Sequence, residues 1–174
     1  MKPSRKVVLT VIISGFMAVT AWAETRVYFN PPMPGDKAVA TYIVDAIAGS
    51  TKQILIQQYQ FTEPSIIKAL VDAKQRGIEA IAIFDKTVTN SKQGRKGVDN
   101  LEAAGAEVWF DPVHIAHNKV LIIDGKMVIG GSFNLTTNAN AHNCENCTFI
   151  DDPPIVQRFT ENFNRRLEKA KASE

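Results

Sequence analysis

The sequence predicts an α/β protein, a mixed β-sheet flanked by helices, and three observations carry that reading. Short apolar runs of strand length alternate with segments of helical spacing. Glycine and proline fall between the runs, at 49, 77, 105 and 153–154, where elements should stop or start. Finally, an Asp-Gly dipeptide at 124–125 separates two apolar runs, the strongest short-range signal for a hairpin, so at least one strand pair is antiparallel.

Taken in order, residues 26–29 read as a short strand and residues 37–48 as a helix. The helix has apolar side chains at 39, 43, 44, 46 and 47, with Gly49 at its C-terminal cap position. Residues 53–59 read as a strand, 64–76 as a helix opened by Pro64 and closed by Gly77, and 78–84 as a second apolar strand. From 85 to 95 the chain is polar and aperiodic, which predicts an exposed loop leading to a helix over 96–104. A strand is predicted at 107–110. Residues 117–123 and 126–129 form the two arms of the hairpin, and Gly130-Gly131 releases the chain into a loop. A strand ends over 148–150. Asp152-Pro153-Pro154 then opens a helix that places Ile155, Val156, Phe159, Phe163 and Leu167 on one face.

Residues 1–23 read as an export signal. Lys2, Arg5 and Lys6 form a basic start, residues 7–23 carry no charge, and Ala21-Trp22-Ala23 has the small-x-small pattern of a cleavage site. The 17 uncharged residues also sit at the lower edge of what can span a bilayer, so a retained anchor is the competing reading. With cleavage after Ala23 the protein is periplasmic or secreted, without stable membrane association, and residues 24–174 form one domain. The whole chain carries 20 Lys+Arg and 18 Asp+Glu, but three of the basic residues lie in the leader. The remainder therefore has 17 against 18, a net charge of −1. Attraction to a polyanion must then come from local patches, with Lys86, Lys92, Arg95 and Lys96 as one candidate and Arg165, Arg166, Lys169 and Lys171 as another.

The chemistry is concentrated in His117-x-Lys119-x4-Asp124-x6-Gly131-Ser132-x-Asn134. Residues two apart on a strand share a face, so His117 and Lys119 should point together. A lysine offers charge and donors to non-bridging phosphate oxygens, Asn134 adds a neutral amide donor, and a neutral imidazole is a nucleophile for phosphorus. A bare His-x-Lys pair would read as surface. Six specified positions change that, because the pattern arises by chance on the order of 10⁻⁸ per starting point.

This arrangement resembles the HKD signature of the phospholipase D superfamily, and with one copy in a short exported chain it is most similar to the Nuc-type bacterial endonucleases. The resemblance implies a phospholipase D-like fold and a covalent phosphohistidine on His117. Lys119 and Asn134 would hold the phosphoryl oxygens, Ser132 would support them, and Asp124 would brace the motif from behind. By position, Glu145 would be the carboxylate that bonds the imidazole and fixes its tautomer. One motif per chain implies a homodimer in which two copies of His117 serve one phosphate as nucleophile and acid, with His114 or His142 as the single-chain alternative. Such a pair predicts a bell-shaped pH profile.

DNA is the expected substrate, without sequence preference because phosphates carry no sequence information. A phospholipase or phosphatidyltransferase using the same residues is the alternative. No cofactor or catalytic metal is expected, and activity should survive EDTA. His142, Cys144 and Cys147 could supply three zinc ligands, with a fourth from elsewhere. The two cysteines could instead pair, although three residues apart suits only a tight turn or helix.

Overall fold

The computed structural model describes residues 23–173, so the leader, apart from Ala23, lies outside the described residues. In chain order the elements are β1 (Thr25–Asn30), α1 (Val39–Ala48), β2 (Gln53–Gln58), α2 (Pro64–Gln75) and β3 (Glu79–Asp85). There follow α3 (Lys92–Ala103), β4 (Glu107–Asp111), β5 (Lys119–Ile123), β6 (Met127–Gly131), α4 (Thr137–Ala141), β7 (Glu145–Ile150) and α5 (Pro153–Lys171). The strands form one mixed sheet in the order β1-β7-β6-β5-β2-β3-β4. β2, β3 and β4 run parallel, whereas β5, β6, β7 and β1 alternate.

That alternation decides where chemistry can assemble. The C-terminal ends of β1, β2, β3, β4 and β6 and the N-terminal ends of β5 and β7 share one edge of the sheet, the place where open α/β sheets bind ligands. Core strands are apolar on both faces because both are covered. Ile54, Ile56, Ala82, Phe84, Leu121 and Ile129 pack beneath α1, α2 and α3. Leu55, Ile81, Ile83, Val120, Ile122 and Val128 meet Val156 and Phe163 of α5 on the other side.

The expected hairpin is present. Asp124 (φ 56°) and Gly125 (φ 63°) take left-handed conformations, and Lys126 N donates to Ile123 O at 2.9 Å. α3, in contrast, starts at Lys92, four residues before the expected helix, and a 3₁₀ turn over Lys86–Asn90 precedes it. Ser91 Oγ caps the helix by accepting from Gly94 N at 3.0 Å. Its glycines serve packing. A Cβ at Gly94 would lie 2.0 Å from Val88 O, and one at Gly97 would lie 2.8 Å from Phe61 O. α4 also occupies a stretch read as loop. Thr136 Oγ1 caps it by accepting from Ala139 N.

Candidate active site

β5 begins at Lys119, so His117 stands just outside the ladder, at the sheet edge, with its side chain exposed. Lys119 is only 9% exposed. Its Nζ lies 3.2 and 3.3 Å from the two imidazole nitrogens of His117 and donates to His117 O at 3.1 Å. Burial holds the Lys119 ammonium below the ordinary lysine range, and the negative charge of Glu145 offsets this only in part. A buried cation beside an exposed imidazole suits an anionic ligand, which would supply the missing counter-charge.

β6 delivers the next group. Gly131 has φ 150°, and a Cβ there would lie 2.5 Å from Asn146 O, so glycine lets the chain turn tightly against β7. Ser132 follows, donating from Oγ to the Glu145 carboxylate and accepting from Asn146 N at 3.0 Å. Asn134 is half-buried. Its Oδ1 is enclosed without a hydrogen-bond partner, which leaves the Nδ2 hydrogens as the part of the amide open to a ligand. The next residue is pinned, because Leu135 O accepts from Thr62 N at 2.8 Å and Glu63 N at 3.0 Å.

Two of the expected roles are corrected. Glu145 does not bond the imidazole. Its carboxylate is taken by Ser132 Oγ and, at 2.8 Å, by Asn143 Nδ2, while its charge still acts on Lys119. Asp124 is not in the site, because it lies at the opposite end of β5. Its carboxylate accepts from Thr51 N (2.9 Å), Thr51 Oγ1 (2.8 Å), Lys52 N (2.8 Å) and Gln53 N (3.0 Å), fastening the start of β2. Burial alone would raise its pKa, but these donors outweigh it and hold the carboxyl at about 2.

His114 is exposed in the segment before His117, and His142 is exposed at the C-terminal cap of α4. Cys144 is exposed and Cys147 is buried; they are unbonded. On an extended strand two residues three apart face opposite sides. Cys147 lies in the core under α1–α3, its thiol pushed up to about 12 by burial, away from the exposed Cys144 and His142. Of the basic patches, the α5 one is half neutralised, Arg165 and Lys169 remaining exposed without an acidic partner among the described residues. Arg166 forks onto Asp111 and Lys171 pairs with Glu107 at 2.7 Å, whereas Lys86, Lys92, Arg95 and Lys96 are exposed.

Sequence reasoning missed four contributors. Tyr59 sets its ring 4.7 Å from that of His117 and 5.3 Å from Lys119 Nζ. Gln58, directly opposite Lys119 in the ladder, is 2% exposed with an unpartnered Oε1. Asp85 Oδ2 accepts from Ala116 N at 2.6 Å, just before His117. Asn30 Nδ2 donates to Ala139 O (3.0 Å) and Asn143 O (2.8 Å), steadying the approach to Glu145. The available signal was polar Gln57-Gln58-Tyr59 closing an otherwise apolar strand, at the end that β5 would have to meet.

A shallow cleft of about 350 Å³ holds His117, Lys119 and Gly131, and two larger ones lie nearby. One of about 840 Å³ runs from Tyr59 along the 3₁₀ turn to Asn138. The other, about 620 Å³ and mostly apolar, lies between α2 and α3, lined by Pro64, Ile67 and Val71, and meets the first at Thr62 and Gln93.

Comparison with known proteins accords with this fold. Residues 43–167 match the family described as cardiolipin synthase, PLD-like domain. The chain is 37% identical over 139 residues to a phospholipase D of Rickettsia bellii, covering 79% of this chain and 66% of that protein, just under two thirds of its length. It is 29% identical over 124 residues to the mitochondrial cardiolipin hydrolase of Chlamydomonas reinhardtii, covering 70% of this chain and 54% of that one. Among solved structures, the phospholipase D family member Nuc from Salmonella typhimurium superposes with a TM-score of 0.78 at 29% identity, over 85% of this chain and 96% of that one.

Proposed function

We propose, for a chain that belongs to the phospholipase D-like family of phosphodiesterases, that it is an endonuclease acting on DNA through a phosphohistidine formed on His117. The observation that carries the reading is the Lys119 ammonium set 3.2–3.3 Å from both nitrogens of the exposed His117 imidazole. A phosphodiester placed there would have its non-bridging oxygens held by Lys119 and the Asn134 amide while the imidazole faces phosphorus. In the first step the N–P bond forms and the P–O bond to the leaving group breaks, the leaving oxygen taking a proton from an acid. In the second, water attacks phosphorus, the N–P bond breaks, and the proton released by water restores the acid.

The chain supplies one His-Lys-Asn set, so the acid is assigned to His117 of a second copy across a two-fold axis. Ser132 and Glu145 brace the loop that carries Asn134. No step uses a metal. Export to the periplasm or medium is proposed from the leader sequence, with no stable membrane association after its removal.

A lipid substrate is the second reading. It is favoured by the apolar α2–α3 groove, which opens from the polar cleft at Thr62 and Gln93 and could take an acyl chain. The relatives from Rickettsia and Chlamydomonas, a phospholipase D and a mitochondrial cardiolipin hydrolase, point the same way.

Plasmid DNA and cardiolipin vesicles, each incubated with the chain from residue 24 in excess EDTA, separate the two. Nicking by the wild type and at least a ~10³-fold loss in His117→Ala are expected. Phosphatidate release without nicking would overturn the nuclease reading, and loss of nicking on chelation would overturn the metal-free mechanism.

A further inference from the structure

The 840 Å³ cleft beside Tyr59 is lined by twelve residues, none of them charged. Its volume lies in the range of about 300–1,000 Å³ typical of small-molecule sites. Several hydroxyls on its wall are already committed: Thr87 to Asp85, Ser91 to Gly94 N and Thr136 to Ala139 N. Beside the Tyr59 and Thr62 hydroxyls, that leaves the amides of Gln60, Asn90, Gln93 and Asn138 to meet a ligand. Each offers two donors and an acceptor.

A lining without cations does not recruit a phosphate, and one rich in amides desolvates poorly against an acyl chain. What it matches is an uncharged group that carries both donors and acceptors. The cleft meets the reacting centre at Tyr59. Tyr59 is common to both, its ring against His117, and Thr136 lies two residues beyond Asn134.

We infer that this cleft is the subsite for the nucleoside attached to the scissile phosphate, with Gln60, Asn90 and Asn138 as its specificity-determining side chains. The inference rests on the nuclease reading and deepens it. The phosphate is held by charge at Lys119, and the sugar and base are held by neutral amides next to it. Selectivity for nucleic acid over other phosphodiesters then resides in the cleft, separate from the groups that perform the reaction.

The test compares kcat/KM for thymidine 5′-(p-nitrophenyl phosphate) with that for bis(p-nitrophenyl) phosphate, which has no nucleoside. The wild type should favour the nucleoside diester. In an Asn90→Ala/Asn138→Ala variant that preference should fall about tenfold, the scale of one or two lost hydrogen bonds. Gln60→Ala, an exposed side chain on the loop after β2, should move the ratio in the same direction and covers the case in which the double variant misfolds.

Wild-type DNA nicking is measured alongside. A wild type that nicks DNA while the ratio is unmoved in both variants overturns the inference and leaves the nuclease reading standing. A wild type that cleaves cardiolipin vesicles but no nucleic acid overturns both, and assigns the cleft to a lipid headgroup.

Discussion

Asp85 at the end of β3 accepts the backbone N–H of Ala116 at 2.6 Å, so the strand next to β2 holds the residue immediately ahead of His117. The same carboxylate accepts from Thr87 N at 2.9 Å and from Thr87 Oγ1. One buried acid therefore ties the segment bearing the exposed imidazole to the turn that walls the polar cleft. Burial raises the Asp85 pKa, but these hydrogen bonds outweigh it and leave the carboxyl below its ordinary range.

Removing that tether should loosen His117 without touching it. Asp85→Ala is expected to lose about 2 kcal/mol in urea unfolding, the scale of hydrogen bonds to a charged acceptor. On bis(p-nitrophenyl) phosphate its kcat should drop ~10²-fold, since small misplacements of a reacting group are costly. A variant with wild-type kcat would show that the segment before His117 is held by something else.

Lys119 should show function opposed to stability. Its pKa is lowered by burial, so folding disfavours the charged form. That cost is present below the folded-state pKa and disappears as pH rises past the ordinary lysine value. Lys119→Met should therefore melt higher than wild type at pH 7, lose the advantage near pH 11, and retain at most ~10⁻³ of the activity. A lower melting temperature at pH 7 would mean that the Glu145 interaction outweighs desolvation.

Asp124 predicts an acid limb. A carboxyl depressed to about 2 contributes stability that is complete above its unfolded pKa near 4 and is lost as pH falls through about 2. Asp124→Asn should cost about 1–2 kcal/mol at pH 7 and flatten the stability curve between about pH 4 and pH 2. The folded fraction should stay active within a few-fold, because the residue lies at the far end of β5 from His117. A large loss of specific activity in folded protein would return Asp124 to the site.

The hairpin, the βα alternation and the contact between His117 and Lys119 were legible because each rests on local chemistry: positive φ at Asp-Gly, helical and strand periodicity, and residues two apart near a strand. What was not legible depended on strand order. Sequence spacing cannot show that Ser132 and Asn143 take the Glu145 carboxylate, that Asp124 faces the start of β2, or that β2 and β3 bring Tyr59 and Asp85 to the same edge. Gly94 lies in the stretch read as loop, yet α3 runs through it, because Val88 O leaves no room for a Cβ there.

Gly131 tests the turn that carries Ser132. With φ 150° and a would-be Cβ at 2.5 Å from Asn146 O, Gly131→Ala should cost about 1–3 kcal/mol by overpacking and displace the Ser132–Glu145 pair. Thermal melting and kcat should fall together. A fully active, fully stable variant would show that β7 can yield at Asn146.

The proposed mechanism depends most on a covalent bond to His117. Rapid acid-free quenching of the wild type with an oligonucleotide, followed by peptide mass spectrometry, should find a nucleotidyl phosphate on the peptide containing His117, stable to alkali and lost in mild acid. No adduct should form in His117→Ala. An adduct on another residue, or full turnover by His117→Ala, would contradict the account.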